Sequence, residues 1–169
     1  MASPDRQHGA GKWVLLTYQL PREPSTPRIA LWRRLKRLGV AQLGDGLIAL
    51  PADARTREQI EWLADEVIEG GGQAAVWLAR PATVAQERAL AAGMAHARAV
   101  EYLALTEEAT THPTSGADAA RVLQRLRRQW REVTRRDYFP PTEREAARAA
   151  LQALADTTTK LTTAEVRRR

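Results

Sequence analysis

The chain of 169 residues is rich in arginine and contains no cysteine. Its 26 Lys and Arg residues exceed its 20 Asp and Glu residues, which gives a formal net charge of +6. The missing cysteines exclude disulfide bridges, thiolate metal sites and a cysteine nucleophile. No apolar run reaches the roughly 20 residues of a membrane helix, and the first residues do not resemble a signal peptide. We therefore expect a cytoplasmic protein, with one domain or two small ones and no membrane partner.

The first predicted elements are a strand and a helix. A nearly continuous apolar run from Trp13 to Leu20 ends at Pro21 and indicates a buried central strand. Thr26 can cap a helix that has Pro27 in its first position, and helical spacing of leucines continues until Gly39.

A hairpin, a second helix and a last strand follow. Short apolar runs at 40–43 and 47–50 flank Gly44-Asp45-Gly46, a sequence typical of a β-turn. Thr56-x-x-Gln59 predicts a capping box, and apolar residues at helical spacing continue to Gly70. Residues 73–78 then indicate a final strand.

These elements predict the fold class α+β. The order β-α-β-β-α-β is that of a ferredoxin-like domain, with a four-stranded antiparallel sheet and both helices on one face. We place this domain at residues 12–81 and expect residues 1–11 to form a disordered tail.

The second half of the chain shows only helical patterns. Thr83-x-x-Gln86 predicts a capping box for a helix to about Ala109, and residues 110–115 predict a loop. A helix capped by Ser115 should end before Pro140, and Thr142 should begin another that continues to about Asp156. We expect residues 82–156 to form a helical extension packed on the sheet domain, followed by a frayed polar tail at 157–169.

The first helix has a dense positive charge and no acidic residue. Its cations surround an apolar seam of Leu31 and Leu35. They are Arg28, Arg33, Arg34, Lys36 and Arg37. Charge runs of this kind also occur on solvated helix faces. The missing counter-charges nevertheless favour an anionic ligand, because the guanidinium group donates paired hydrogen bonds to phosphate and other oxyanions.

The helix that begins near Ser115 repeats this composition. Leu123, Leu126, Trp130 and Val133 form an apolar stripe that arginines flank on both sides, with Glu132 as the counter-charge among them. The candidate phosphate contacts are Arg121, Arg125, Arg128, Arg131 and Arg135, with Arg127 and Arg136 in the same run. The two helices together predict a positive surface for DNA.

Other residues give weaker signals. The five tryptophans lie on predicted strands or helices, so we expect them to pack in cores or interfaces rather than to stack on bases. The histidines His8, His96 and His112 have no metal-ligand spacing. No Ser, His and acid arrangement predicts a nucleophilic triad. We therefore predict no catalytic residue, no metal and no cofactor.

Several segments resemble the N-terminal domain of ChrB-type chromate resistance proteins. These segments are Trp13–Pro21, Leu31–Gly39, Gly44–Gly46, Leu50–Pro51, Thr56–Leu63 and Arg136–Pro140. The resemblance extends from about Lys12 to Asp156 and implies a cytoplasmic, chromate-responsive regulator of resistance genes. Members often carry a second, C-terminal domain. If that domain senses chromate, this chain would act on DNA together with a sensing partner.

The predicted sheet domain is also similar to that of PaaX-type repressors and of small CRISPR adaptation nucleases. Those nucleases carry a metal-binding aspartate at the end of the first strand, where this chain has Tyr18-Gln19. Asp45 on the predicted hairpin is then a lone acid, which disfavours a metal-dependent nuclease.

The first hypothesis is therefore a DNA-binding, chromate-responsive regulator that forms a homodimer through exposed sheet edges. The same arginines could instead bind chromate, a tetrahedral oxyanion. The alternatives are a non-enzymatic protein-interaction module and the metal-dependent nuclease. Under the first hypothesis, replacing Arg33 and Arg34 together by alanine should weaken DNA binding without disturbing the fold.

Overall fold

The computed structural model describes residues 11–111 and 116–167. The chain divides into two compact units, Met1–Gly93 and Met94–Arg169. Residues 1–10 of the expected tail lie outside the described residues. Residues 112–115 of the predicted loop, which include the Ser115 cap, lie outside them as well. The division between the units falls inside a helix, beyond the predicted boundary near residue 81.

The first unit contains a four-stranded antiparallel sheet and two helices ahead of that helix. Its elements are β1 (Trp13–Gln19), α1 (Thr26–Leu38), β2 (Ala41–Gly44), β3 (Leu47–Pro51), α2 (Ala54–Glu69) and β4 (Gln73–Ala79). The strand order β2-β3-β1-β4 places β1 and β3 in the centre, and every neighbouring pair is antiparallel. This order confirms the predicted ferredoxin-like arrangement.

The core of the first unit lies between the central strands and α2. Val14 and Leu16 of β1 pair with Leu50 and Ile48 of β3, and all four side chains are fully buried. α2 packs against β1 and β4 and also contacts α1. It contributes the buried residues Ile60, Leu63, Ala64 and Val67. The apolar runs that predicted these strands thus supply the buried side chains of the sheet core.

Two predicted helix caps are wrong in position. The N-cap of α2 is Asp53, whose carboxylate accepts from the Thr56 backbone N–H at 2.7 Å. Thr56 completes the capping box from inside the helix, since its Oγ1 accepts from the Asp53 N–H at 2.9 Å. The N-cap position of α1 is Ser25, which makes no side-chain capping bond, while Pro27 lies in the first turn. Asp and Ser favour this position as much as Thr does, so spacing alone selected the wrong residue.

The remaining elements are helices. They are α3 (Val84–Thr110), α4 (Gly116–Arg135) and α5 (Glu143–Arg167). The predicted Thr83 cap of α3 is confirmed, because the Gln86 N–H donates to Thr83 Oγ1 at 3.1 Å. The Gln86 side chain accepts from the Ala82 N–H at 3.2 Å, one residue before the position that a capping box would use. No helix in the described parts of the chain is long and apolar enough to cross a bilayer.

α5 continues well beyond its predicted end at Asp156. Ala155 and Thr158 are buried, so packing holds the helix past that point. Threonine hydroxyls also donate to the carbonyl four residues earlier, at Thr157, Thr158, Thr159, Thr162 and Thr163. The predicted fraying of the chain from residue 157 is therefore wrong up to Arg167.

The second unit has a core of its own. Tyr102, Leu126 and Ala147 have no exposed surface and come from α3, α4 and α5. The Trp130 ring packs beside the Tyr102 ring, with centroids 5.2 Å apart. Each helix thus buries part of its surface in one shared cluster.

Candidate functional site

An open groove of about 1150 Å³ lies in the first unit between α1, the end of β1 and the β2–β3 hairpin. The residues that line it combine apolar, amide and guanidinium side chains. They are Tyr18, Gln19, Leu20, Arg22, Ser25, Arg28, Ile29, Leu31, Trp32, Arg33, Leu35, Gln42, Asp45 and Gly46. This groove contains two of the cations predicted to bind an anion, Arg28 and Arg33, together with Asp45 of the predicted hairpin.

The hairpin forms one wall of the groove because Gly46 fastens it to β1. The Tyr18 backbone N–H donates to the Gly46 carbonyl at 2.8 Å. Gly46 has φ +72°, and a Cβ there would lie only 2.3 Å from the Tyr18 carbonyl oxygen. Glycine is therefore required for the turn to approach the strand this closely. The same approach places Asp45 opposite α1.

α1 forms the other wall and part of the floor. Leu31 and Leu35 are buried and line the bottom of the groove. Arg28, Trp32 and Arg33 lie on the flank of α1 that faces the opening. This flank is separate from the side of α1 that contacts α2.

Three guanidinium groups line the groove without a carboxylate partner. Arg28 and Arg33 were predicted from the sequence, and Arg22 in the loop before α1 joins them. All three are exposed. Among the residues described here, none of the three forms an ion pair. Asp45 is the acidic residue in the groove lining, so the wall has an excess of positive charge.

The other cations of α1 have different environments. Arg34 Nη1 lies 2.8 Å from Glu66 Oε1 of α2 and thus forms an ion pair between the two helices. Lys36 Nζ lies 4.2 Å from the centroid of the Trp32 ring. Arg37 is exposed and lies outside the groove lining. The five-cation run is therefore divided among four environments, which its sequence spacing did not reveal.

The tryptophans were predicted to pack in cores or interfaces, and two of the five lie in a core, while an interface role for the other three stays a prediction. Trp13 is 2% exposed and Trp130 packs on the helical core. Trp32, Trp62 and Trp77 are 55%, 62% and 55% exposed. Helical or strand periodicity places each of these rings on an element, but it does not tell which flank another element covers.

The arginines of α4 are exposed, and they too divide into two groups. Arg121 pairs with Asp118 at 3.5 Å, and Arg125 pairs with Glu108 of α3. Arg128, Arg131 and Arg135 form no ion pair within the described ranges. Their spacing of three and four residues aligns them along one flank of the helix.

Arg136, the last arginine of that run, belongs to an internal polar cluster instead. Its Nη2 donates to Glu101 Oε2 at 2.7 Å, and Arg98 Nη2 lies 3.0 Å from the other oxygen of the same carboxylate. The side chain of Arg136 is 21% exposed. The group that looked like a surface cation therefore ties the chain after α4 to α3.

A fully buried carboxylate lies close to this pair in sequence. The Asp137 side chain has no exposed surface, and its Oδ2 accepts from Tyr102 Oη at 2.8 Å and from Arg144 Nη1 at 3.3 Å. Burial, followed by the hydrogen bond to Asp137, raises the pKa of Tyr102 above its ordinary value. Burial lowers the pKa of Arg98. Sequence reasoning missed this cluster, since Tyr102 and Asp137 are 35 residues apart.

The acidic residues do not gather into a metal site. No group of three His, Asp or Glu side chains in residues 11–111 and 116–167 is placed to hold a metal ion. Tyr18 and Gln19 lie at the end of β1, and Asp45 is the acid of the adjacent groove wall. The groove therefore places exposed guanidinium groups beside an aromatic side chain, without a cluster of carboxylates among the residues that line it.

The comparisons with known proteins agree on one family. Residues 28–115 match the family described as Protein ChrB, N-terminal. Protein ChrB of Cupriavidus metallidurans is 30% identical, over a region that covers 83% of this chain and 44% of the relative. The chain thus spans less than half the length of that curated relative. No solved structure matches the chain.

Proposed function

The chain belongs to the ChrB N-terminal domain family, and from this premise we propose that it is a non-enzymatic DNA-binding module that regulates chromate resistance genes. The link to chromate resistance rests on the family. DNA binding rests on the arrangement of charged side chains. Because the matching relative is more than twice as long as the region shared, we propose that a further domain or partner supplies the response to chromate.

The observation that carries the proposal is the set of guanidinium groups in the groove. Arg22, Arg28 and Arg33 are exposed, lie around one opening and have no carboxylate partner among the described residues. Arginines without counter-charges are the groups that neutralise phosphates and release bound counterions. Arg34 differs from these three arginines, because it forms an ion pair with Glu66 of α2.

The exposed flank of α4 supports the same function independently. Arg128 and Arg135 are two turns apart, so their Cα atoms are separated by about 10 Å along the helix axis. Arg131 lies between them on the same flank. A row of guanidinium groups at this spacing suits successive phosphates of a nucleic-acid backbone.

Chromate is the second candidate ligand of these arginines. It is a tetrahedral oxyanion, so it would use the same N–H donors that phosphate uses. Chromate that binds in the groove would therefore compete with DNA, and chromate sensed by another domain would not.

The test is a fluorescence-anisotropy titration with DNA from upstream of the gene and with a random duplex, at two salt concentrations, with and without chromate. We expect the Arg28→Ala/Arg33→Ala variant to bind DNA at least about tenfold more weakly, since two contacts to charged groups are lost. The matched control is Arg80→Ala/Arg88→Ala, which removes the same charge from two exposed arginines outside the groove lining. Equal losses in the two variants would show that the groove is not the DNA site.

The exposed aromatic and aliphatic side chains favour a protein-interaction module as the second candidate function. β4 is an edge strand, and Trp77 and Leu78 on it are 55% and 61% exposed. A homodimer formed along this edge would pair the free backbone groups of β4. Light scattering would give the oligomeric state. A dimer that persists in high salt, together with DNA binding that is absent at every salt concentration, would favour this candidate.

The nuclease alternative has a direct test. The protein would be incubated with labelled DNA and Mg²⁺ or Mn²⁺, with Asp45→Asn as the control variant. Cleavage that Asp45→Asn abolishes would overturn the non-enzymatic proposal.

A further inference from the structure

The groove contains an exposed aromatic ring that phosphate binding alone would not need. Trp32 lies in its wall between Arg28 and Arg33, and the indole ring is 55% exposed. Tyr18 lines the opposite part of the groove. Trp32 differs from the other exposed tryptophans in lining the groove, among cations without carboxylate partners in the described residues, and this combination suits a ligand with both an aromatic and an anionic part.

The orientation of the Trp32 ring is restrained. Lys36 lies one turn later on α1, with its ammonium 4.2 Å from the ring centroid. This cation–π contact holds the ring in one position without burying it. A ring held in this way forms a preorganised surface for stacking.

The volume and open shape of the groove suit a segment of a polymer better than an enclosed small molecule. Small-molecule pockets usually measure roughly 300–1,000 Å³ and enclose their ligand, whereas this groove measures about 1150 Å³ and is open. Gln19, Gln42 and Ser25 add hydrogen-bonding groups along its wall. Such groups can bind base edges, while the guanidinium groups can bind the backbone.

The exposed Trp32 ring determines which form of nucleic acid the groove can bind by stacking. Bases within a duplex are stacked on both faces and cannot lie flat against a tryptophan ring. A base can reach Trp32 only when it has left the stack.

We infer that the groove binds an unpaired nucleotide segment, with a base stacked on Trp32 and the adjoining phosphates on Arg22, Arg28 and Arg33. This inference rests on the proposed function and adds the strand form that the groove selects. Duplex DNA would still bind through its phosphates to the exposed arginines of the groove and of α4, without stacking on Trp32.

The experiment compares a single-stranded 12-nucleotide oligonucleotide with a duplex of the same sequence by fluorescence anisotropy. The variants are Trp32→Ala and the matched control Trp62→Ala, which removes an exposed helical tryptophan outside the groove lining. We expect Trp32→Ala to weaken single-strand binding at least about fivefold, as the loss of one stacked base would. Trp62→Ala should stay within about twofold, and Trp32→Phe should recover most of the affinity because it restores a stacking surface.

The outcomes separate this inference from the proposed function. If Trp32→Ala and Trp62→Ala bind the single strand equally well, the nucleotide inference is overturned, and duplex binding that depends on Arg28 and Arg33 keeps the proposed function. If Trp32→Ala loses the same affinity for the single strand and for the duplex, the nucleotide inference is also overturned, because a base inside a duplex cannot stack on the Trp32 ring. If neither nucleic acid binds, both proposals fail. Circular dichroism should be unchanged in both variants, since both rings are exposed.

Discussion

At the scale of single residues, Tyr102 and Asp137 show how a buried polar pair stabilises the second unit. The Asp137 carboxylate is completely buried, and the Tyr102 hydroxyl donates to it at 2.8 Å. A buried carboxylate that loses a donor keeps its desolvation cost. The hydrogen bond from Tyr102 therefore stabilises the folded state mainly by offsetting the desolvation cost of the Asp137 carboxylate.

We predict that Tyr102→Phe lowers the free energy of unfolding by about 2 kcal/mol, the range for a hydrogen bond to a charged group. Arg144 would remain as a donor to Asp137, so the variant should still fold. Urea denaturation measures the change. Tyr18→Phe is the control, because no hydrogen bond to the Tyr18 hydroxyl is present in the described residues, and it should differ from wild type by less than about 0.5 kcal/mol. Equal effects would contradict the role of the Asp137 bond.

The same residue gives a pH dependence. Because burial raises the pKa of Tyr102 in the folded protein, the unfolded chain loses this proton first as the pH rises. The stability that Tyr102 contributes is thus complete below about pH 10, the ordinary tyrosine value, and is lost as the pH rises toward the folded pKa. The difference in unfolding free energy between wild type and Tyr102→Phe should shrink above pH 10. A difference that stays constant from pH 8 to pH 11 would contradict the assignment.

At the scale of elements, the β2–β3 hairpin depends on the backbone of one glycine. Gly46 has a positive φ, and its Cα faces the Tyr18 carbonyl without room for a Cβ. Gly44, two residues earlier, has no atom within 4 Å of the position that a Cβ would take. A Cβ therefore fits at position 44, whereas at position 46 it would clash with the Tyr18 carbonyl oxygen.

We predict that Gly46→Ala lowers the free energy of unfolding by about 2 kcal/mol or more, through strain at positive φ and a backbone clash. The hairpin would also move away from β1, so DNA binding in the groove should weaken. Gly44→Ala should leave both quantities near the wild-type values. Thermal unfolding and anisotropy measure them, and two variants with the same melting temperature would refute the close approach.

The helix α1 shows why sequence alone could not divide its cations among their different environments. Helical spacing correctly gave the buried seam of Leu31 and Leu35. It could not show that α2 places Glu66 beside Arg34, because that contact joins residues of separate helices. Replacing Arg33 and Arg34 together would consequently remove a groove cation and a helix–helix ion pair at once. Arg28 with Arg33 is the more informative pair.

At the scale of the whole molecule, the positive charge should appear as a salt dependence of DNA binding. Each phosphate that a cation neutralises adds about 0.9 to the magnitude of the slope of log K against log salt. We predict that replacing Arg128, Arg131 and Arg135 of α4 by alanine reduces this magnitude by up to about 2.7. Anisotropy titrations at four salt concentrations measure the slope. An unchanged slope would exclude the α4 flank from the DNA interface.

The sheet and the helix order were predictable because each depends on local patterns. Apolar runs identified the strands, and proline and glycine marked the ends of several elements. The groove was only partly predictable. Its arginines stand out in sequence, whereas its hairpin wall and the exposure of Trp32 depend on residues that meet only in the folded chain. The Asp137 cluster was missed for the same reason, since its members come from α3 and from both sides of the start of α5.

The threonines near the end of α5 have a consequence for how water meets that helix. Thr157, Thr159, Thr162 and Thr163 direct their hydroxyl hydrogens back to carbonyls of the preceding turn. Each hydroxyl hydrogen is thereby engaged within the helix, and the oxygen stays available to accept from water. The segment thus offers water fewer donors than its count of hydroxyl groups implies.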